Sequence, residues 1–109
     1  MRTDEQCKEN CHFTIHPCNF KVKIKEIKPF FVFASKSLVL NVQVLKNCNV
    51  NSCIKIESEP VYGRLFLLDS STIIYKSLIR CSAIDMFQML VEDECGGKHV
   101  ETVLIHVIC

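Results

Sequence analysis

The sequence predicts an all-β sandwich of about seven strands behind an extended N-terminal arm. Apolar and polar residues alternate over short stretches: Leu38, Leu40, Val42 and Val44 share one parity while Asn41 and Gln43 take the other. That period of two belongs to a strand with one buried face. Such stretches recur at the spacing of a sandwich, bounded by turn residues such as Pro60, Gly63 and the pair Gly96-Gly97. No convincing amphipathic helix competes with them.

The arm, residues 1–18, holds Cys7, Cys11, Cys18, His12 and His16. Within it Phe13 and Ile15 point one way and Thr14 the other, until Pro17 interrupts the alternation. The domain follows over residues 19–109. Its first strand is expected at 20–27, with Phe20, Val22 and Ile24 inward and Lys21, Lys23 and Lys25 on the wet face. Further strands are expected at 38–45, 53–58, 64–68, 72–75, 84–92 and 98–108. Gly96-Gly97 supplies the turn chemistry of a hairpin between the last two. No internal repeat is visible, so any array must come from association of chains.

A chain of 109 residues has room for one core. Its hydrophobic fraction, 49%, exceeds what a disordered segment carries, so folding is expected. With 13 basic and 12 acidic residues there is no field able to hold nucleic acid or an anionic membrane. No run approaches the ~20 apolar residues of a spanning helix, so membrane insertion is not expected either.

One group of residues carries a family signal: Pro60-Val61-Tyr62-Gly63-Arg64-Leu65, Ser71-Thr72-Ile73-Ile74-Tyr75, the stretch from Asp85 through Phe87 and Met89 to Asp93, Gly96-Gly97, and the Val-rich strand from Val100 to Val107. This pattern resembles the cadherin-like or immunoglobulin-like repeat modules of bacterial surface proteins, from roughly Pro29 onward. The chain departs from those modules at Met89, where they carry an aromatic, and in its cysteines. The resemblance implies an immunoglobulin-like sandwich with Phe87, Met89 and Val91 inward. Met86 and Leu90 then face outward, as do Leu104 and Ile108 across the hairpin. These four are candidates for a lateral interface, since contiguous apolar surface usually marks a contact; a bulge that slips the parity would instead put them in a thicker core.

Eight cysteines in so short a chain imply a disulfide framework in an oxidising setting. The opening residues Met1-Arg2-Thr3-Asp4-Glu5-Gln6-Cys7 have no apolar stretch of a secretory signal. The expectation is removal of such a signal, or synthesis in a cytoplasm and oxidation after release, as for proteins of a bacterial spore surface. In the topology implied by the resemblance the cysteines fall at two poles. Cys18, Cys48, Cys53 and Cys95 lie at one, as candidates for intrachain or pole disulfides. Cys81 and Cys109 lie at the other. Cys7 and Cys11, on the arm projecting from the first pole, are matched with Cys81 and Cys109 of a head-to-tail neighbour as intersubunit joints; closure of Cys81 on Cys109 within one chain is the alternative. Phe13 and Ile15 would add to a neighbour's exposed sheet edge, unless the arm is a loose tail.

No Ser/His/Asp arrangement, phosphate-binding glycine loop or H-E-x-x-H is present, so neither an enzyme nor a cofactor is expected. Cys7, Cys11, His12, His16 and Cys18 are zinc-type ligands without the usual paired spacing, and cystine formation is favoured over zinc. Asp85 and Asp93 are weaker calcium candidates, without a surrounding acidic motif. His99 and His106 fall on a strand, in structural or interfacial roles. The resulting expectation is a structural subunit that self-assembles into a disulfide-stabilised extracellular fibre, a pilus or endospore appendage, with itself as partner and an anchor or tip protein as a further one. It is similar to the spore-appendage strategy of β-sandwich subunits locked together by N-terminal cysteine arms. The competing readings are an adhesion or binding module of a bacterial surface protein and a zinc-bound regulatory domain.

Overall fold

A computed structural model describes residues 20–46, 51–93 and 96–109 of the chain, and these form eight strands in two sheets. They are β1 (Phe20–Ile24), β2 (Phe30–Phe33), β3 (Ser37–Lys46), β4 (Ser52–Ser58), β5 (Gly63–Asp69), β6 (Thr72–Ser77), β7 (Ala83–Asp93) and β8 (Lys98–Ile108). One sheet has the order β1-β3-β6-β5 and the other β2-β8-β7-β4, an all-β sandwich. The pairings are antiparallel except that of β2 with β8, which is parallel with Phe30 opposite Ile105.

The inward parity is the expected one. Leu40, Val42, Ile73 and Tyr75 from the first sheet meet Phe30, Val32, Phe87, Met89, Val91, Val103, Ile105 and Val107 from the second, all buried. Burial of each such side chain contributes about 1.5–3 kcal/mol, which makes this shared interior the main source of stability. Lys21, Lys23 and Lys25 stay exposed, as alternation requires. Leu38 and Val44, at the ends of the β3 alternation, are half-buried against the same core.

The expected first strand is corrected. It stops at Ile24, and the chain then crosses between the sheets through residues 25–29, with Ile27 fully outside at 89% exposure and a cis Lys28-Pro29 peptide. Glu26 anchors this crossing: its carboxylate accepts the Asn41 backbone N–H at 2.6 Å and the Asn41 side-chain amide at 2.8 Å. Desolvation pushes its pKa up, but the bonds from Asn41 outweigh it, and the carboxyl sits below its ordinary value. β2, which the sequence reading omits, then joins the second sheet.

Gly63, Tyr75 and Asp85 meet at one buried site. Asp85 of β7 accepts the Tyr75 hydroxyl of β6 at 2.5 Å, the backbone N–H groups of Val61 and Tyr62 at 2.9 and 3.1 Å, and that of Met86 at 2.9 Å. Four donors satisfy a carboxylate that is 1% exposed, and the bond to Tyr75 ties one sheet to the other. Burial, then the Asp85 hydrogen bond and charge, hold the Tyr75 phenol far above its ordinary pKa. Gly63 completes the cluster, because a Cβ there would overlap the Tyr75 ring. The spacing of Gly63, Tyr75 and Asp85 is thus a packing requirement.

Two hairpin turns use the chemistry their residues suggest. Asp69 accepts the Ser71 N–H at 2.8 Å, and that bond leads in holding its carboxyl below the usual range. At the other hairpin Asp93 accepts Gly97 N–H on its side chain at 2.8 Å and Gly96 N–H on its carbonyl at 3.2 Å. Gly96 has φ 92°, a left-handed conformation that favours glycine.

Candidate functional site: a thiol pole and an apolar outer face

The β7–β8 register sets Ala83 opposite Val107. Two residues further along each chain, the same register brings Cys81 opposite Cys109, just past the strand ends. Both are exposed free thiols. Cys109 is tied back to the segment entering β7: its N–H donates to Ser82 Oγ at 3.3 Å and its Sγ to the Arg80 carbonyl at 3.0 Å. Two exposed thiols therefore share one end of the sandwich.

The opposite end receives the start of β4 and the end of β7, since Ser52 is opposite Asp93, and the start of β1, since Val22 and Ile24 line one cleft with Glu101, Thr102 and Leu104 of β8 while the chain after Ile24 leads to Phe30 beside Ile105. Cys53 sits there, opposite Glu92 and 6% exposed. It is not a free thiol, and no disulfide joins two described cysteines. Glu92 is buried beside it, 3.9 Å from Lys55 Nζ. Cys7, Cys11, Cys18, Cys48 and Cys95, with Phe13 and Ile15, lie outside the described residues.

The second sheet's outer face is apolar toward the end of β8. Met86 and Leu104 face each other across β7 and β8, each half exposed, and Leu90 and Ile108 share their parity. The structure adds three residues that the sequence reading leaves out: Phe31, Phe33 and Ile84, all exposed. Register makes them contiguous, with Phe33 beside Ile108, and Phe31 beside His106, which is itself beside Ile84. The Phe31 and His106 rings meet at 5.4 Å with a 44° tilt, forming the side of a shallow groove that Ile84 and Ile108 also line. The signal for Phe31 and Phe33 was the unbroken run Phe30-Phe31-Val32-Phe33, which has apolar residues on both parities and so two faces to cover.

Metal chemistry has no centre among the described residues: no group of three or more His, Cys, Asp or Glu is placed to hold an ion. Asp85 and Asp93, weighed as calcium ligands, serve the Tyr75 cluster and the hairpin turn instead. His99 Nε2 lies 2.9 Å from Glu101 Oε1, and His106 packs on Phe31. The zinc-type set of Cys7, Cys11, His12, His16 and Cys18 lies outside the described residues. No protein-family model matches the chain, and no curated protein matches it.

Proposed function

We propose that the protein is a structural subunit that polymerises head-to-tail into a disulfide-stabilised fibre on a bacterial cell or spore surface. The observation that supports this most is the placement of two exposed free thiols, Cys81 and Cys109, at the end of the sandwich opposite the start of β1. The described residues extend over 51 × 24 × 17 Å, so these ends are well separated. An arm entering at one end and thiols waiting at the other make a heterologous contact, and such contacts propagate when they do not close into a ring. Cys7 and Cys11 supply the arm's thiols. Strand order supports the finer, immunoglobulin-like reading: with the first strand divided between sheets, β1-β3-β6-β5 and β2-β8-β7-β4 follow the A-B-E-D and C-F-G arrangement. The apolar face of Met86, Leu104, Phe31 and Ile84 would pack laterally against neighbours.

Electrophoresis of air-oxidised full-length protein, with and without reducing agent, tests the proposal. A fibre gives a thiol-sensitive ladder or material too large to enter the gel. An adhesion module runs as a monomer in both lanes and would remove the polymer from the account.

A further inference from the structure

We propose that Cys81 and Cys109 form a thiol–disulfide exchange site, in which Cys81 takes up one half of an accessible disulfide and Cys109 of the same chain displaces it. Both are exposed free thiols, so a disulfide can reach them. The pairing of β7 with β8 sets Ala83 opposite Val107, and the same count places Cys81 opposite Cys109. Cross-strand partners have Cα atoms about 4.5–5.5 Å apart, inside the roughly 4.4–6.8 Å that a disulfide spans. Past the strand ends two hydrogen bonds keep the segments together: Cys109 N–H donates to Ser82 Oγ at 3.3 Å and Cys109 Sγ to the Arg80 carbonyl at 3.0 Å. That carbonyl oxygen stands about 2.8 Å from the Cα of the next residue, Cys81, so the Cys109 sulfur lies within about 6 Å of that Cα. Side-chain rotation brings the two sulfurs within reach of one bond.

The nearness of two thiols decides the chemistry. The Cys81 thiolate attacks a disulfide R–S–S–R, forming a mixed disulfide with one R–S group and releasing the other as a thiolate. The Cys109 thiolate then attacks the Cys81 sulfur: a Cys81–Cys109 bond forms, the bond to R–S breaks, and the second R–S thiolate leaves. Two cysteines are oxidised, one disulfide is reduced to two thiols, and the protons given up by the cysteines are taken up by the leaving groups, so no further oxidant enters. A single thiol would stop at the first step. The second acts at the high effective concentration of a neighbour on the same scaffold, so the mixed disulfide does not persist. Cys109 is assigned the second step because its N–H and its Sγ are both tied to the segment that carries Cys81. One consequence rests on the polymer reading above: an arm joined through one bond is released by the same step, whereas an arm bonded to both thiols leaves none to displace it.

Mapping of unreduced peptides, after dilute reduced full chain meets a substoichiometric disulfide, tests this. Two probes are used: glutathione disulfide, and the disulfide dimer of a peptide of residues 2–8 joined through Cys7. With either probe the wild type should hold a Cys81–Cys109 bond. Cys109→Ser, whose hydroxyl can still donate to the Arg80 carbonyl, should retain at least about tenfold more probe on Cys81 than the wild type does. An equal mixture of two isotopically distinct preparations should give no hybrid Cys81–Cys109 pair. Wild type that retains the probe on Cys81 as fully as Cys109→Ser overturns the exchange site and leaves the polymer reading standing. Hybrid pairs overturn it too, since the displacing thiol then belongs to another chain. Closure with glutathione disulfide but not with the peptide dimer supports the site for small disulfides and overturns release of the arm. Closure in a protein that gives no thiol-sensitive ladder on oxidation supports the site and overturns the polymer.

Discussion

On the outer side of β1, β3, β6 and β5, Lys21 stands opposite Leu45 and Lys23 opposite Gln43, while the exposed pair Phe66 and Val39, joined through Ile74, is bracketed by Arg64 and Lys76 on one side and Asn41 and Thr72 on the other. On the outer side of β2, β8 and β7, the rows Phe33-Ile108, Phe31-His106-Ile84 and Leu104-Met86 follow one another with no Lys, Arg, Asp or Glu among them. The inner faces of both sheets are made of the same kinds of side chain, so the core does not require this difference. A charge in every second row keeps an apolar surface solvated and unattractive to copies of itself; three successive rows without one form a patch of the kind that marks contact. In the proposed assembly the second of these faces is the one that meets a neighbour.

This comparison requires stability to reside inside and association outside. The largest effect belongs to the interior: Phe87→Ala should lower unfolding free energy by roughly 3–5 kcal/mol in denaturant melts of reduced monomer, as for a buried aromatic emptied to a cavity. Lys23→Ala should be silent within about 0.5 kcal/mol. Equal losses would mean that inner and outer parities are misassigned. Next comes the tie between sheets. Tyr75→Phe should cost about 1.5–3 kcal/mol, because the buried Asp85 carboxylate loses one of its donors, and near neutrality would show that the remaining three suffice.

A smaller effect comes from the crossing between sheets. The folded pKa of Glu26 lies below its ordinary value, so its stabilising contribution is present above the unfolded pKa and lost as pH falls through the folded one. Glu26→Gln should flatten that part of the acid limb of stability against pH. An unchanged limb would mean that Asn41 does not hold the carboxylate in solution. Smallest in stability is the pair Met86→Lys and Leu104→Lys, expected within about 0.5 kcal/mol for half-exposed sites. Its readout is association: light scattering should show lateral bundling lost. Matching substitutions at Phe66 and Val39 should leave bundling intact, and the reverse result would exchange the roles of the two faces.

How far the residues disclosed this arrangement depended on how many faces each strand buries. Leu38 to Val44 and Phe87 to Val91 alternate because one side is buried and the other is not, and their parity was legible. β2 was not, since Phe31 and Phe33 belong to the apolar outer face and remove the alternation that would mark a strand. Gly63, Tyr75 and Asp85 were visible as a pattern, but their shared purpose needed the crossing of two sheets to bring a phenol onto a carboxylate. Placement of Cys81 beside Cys109 followed from counting back from the Gly96-Gly97 turn.

The central claim is the covalent joint between ends. Two isotopically distinct preparations of the full chain, mixed reduced and then oxidised, should yield unreduced peptides in which Cys7 or Cys11 is linked to Cys81 or Cys109, with hybrid pairs carrying one label from each preparation. Two bonds on one arm would hold at high effective concentration, so these species should persist in denaturant and vanish with thiol. Peptides showing only Cys81 bonded to Cys109 of the same chain, with Cys7 and Cys11 unlinked to either, would contradict the account.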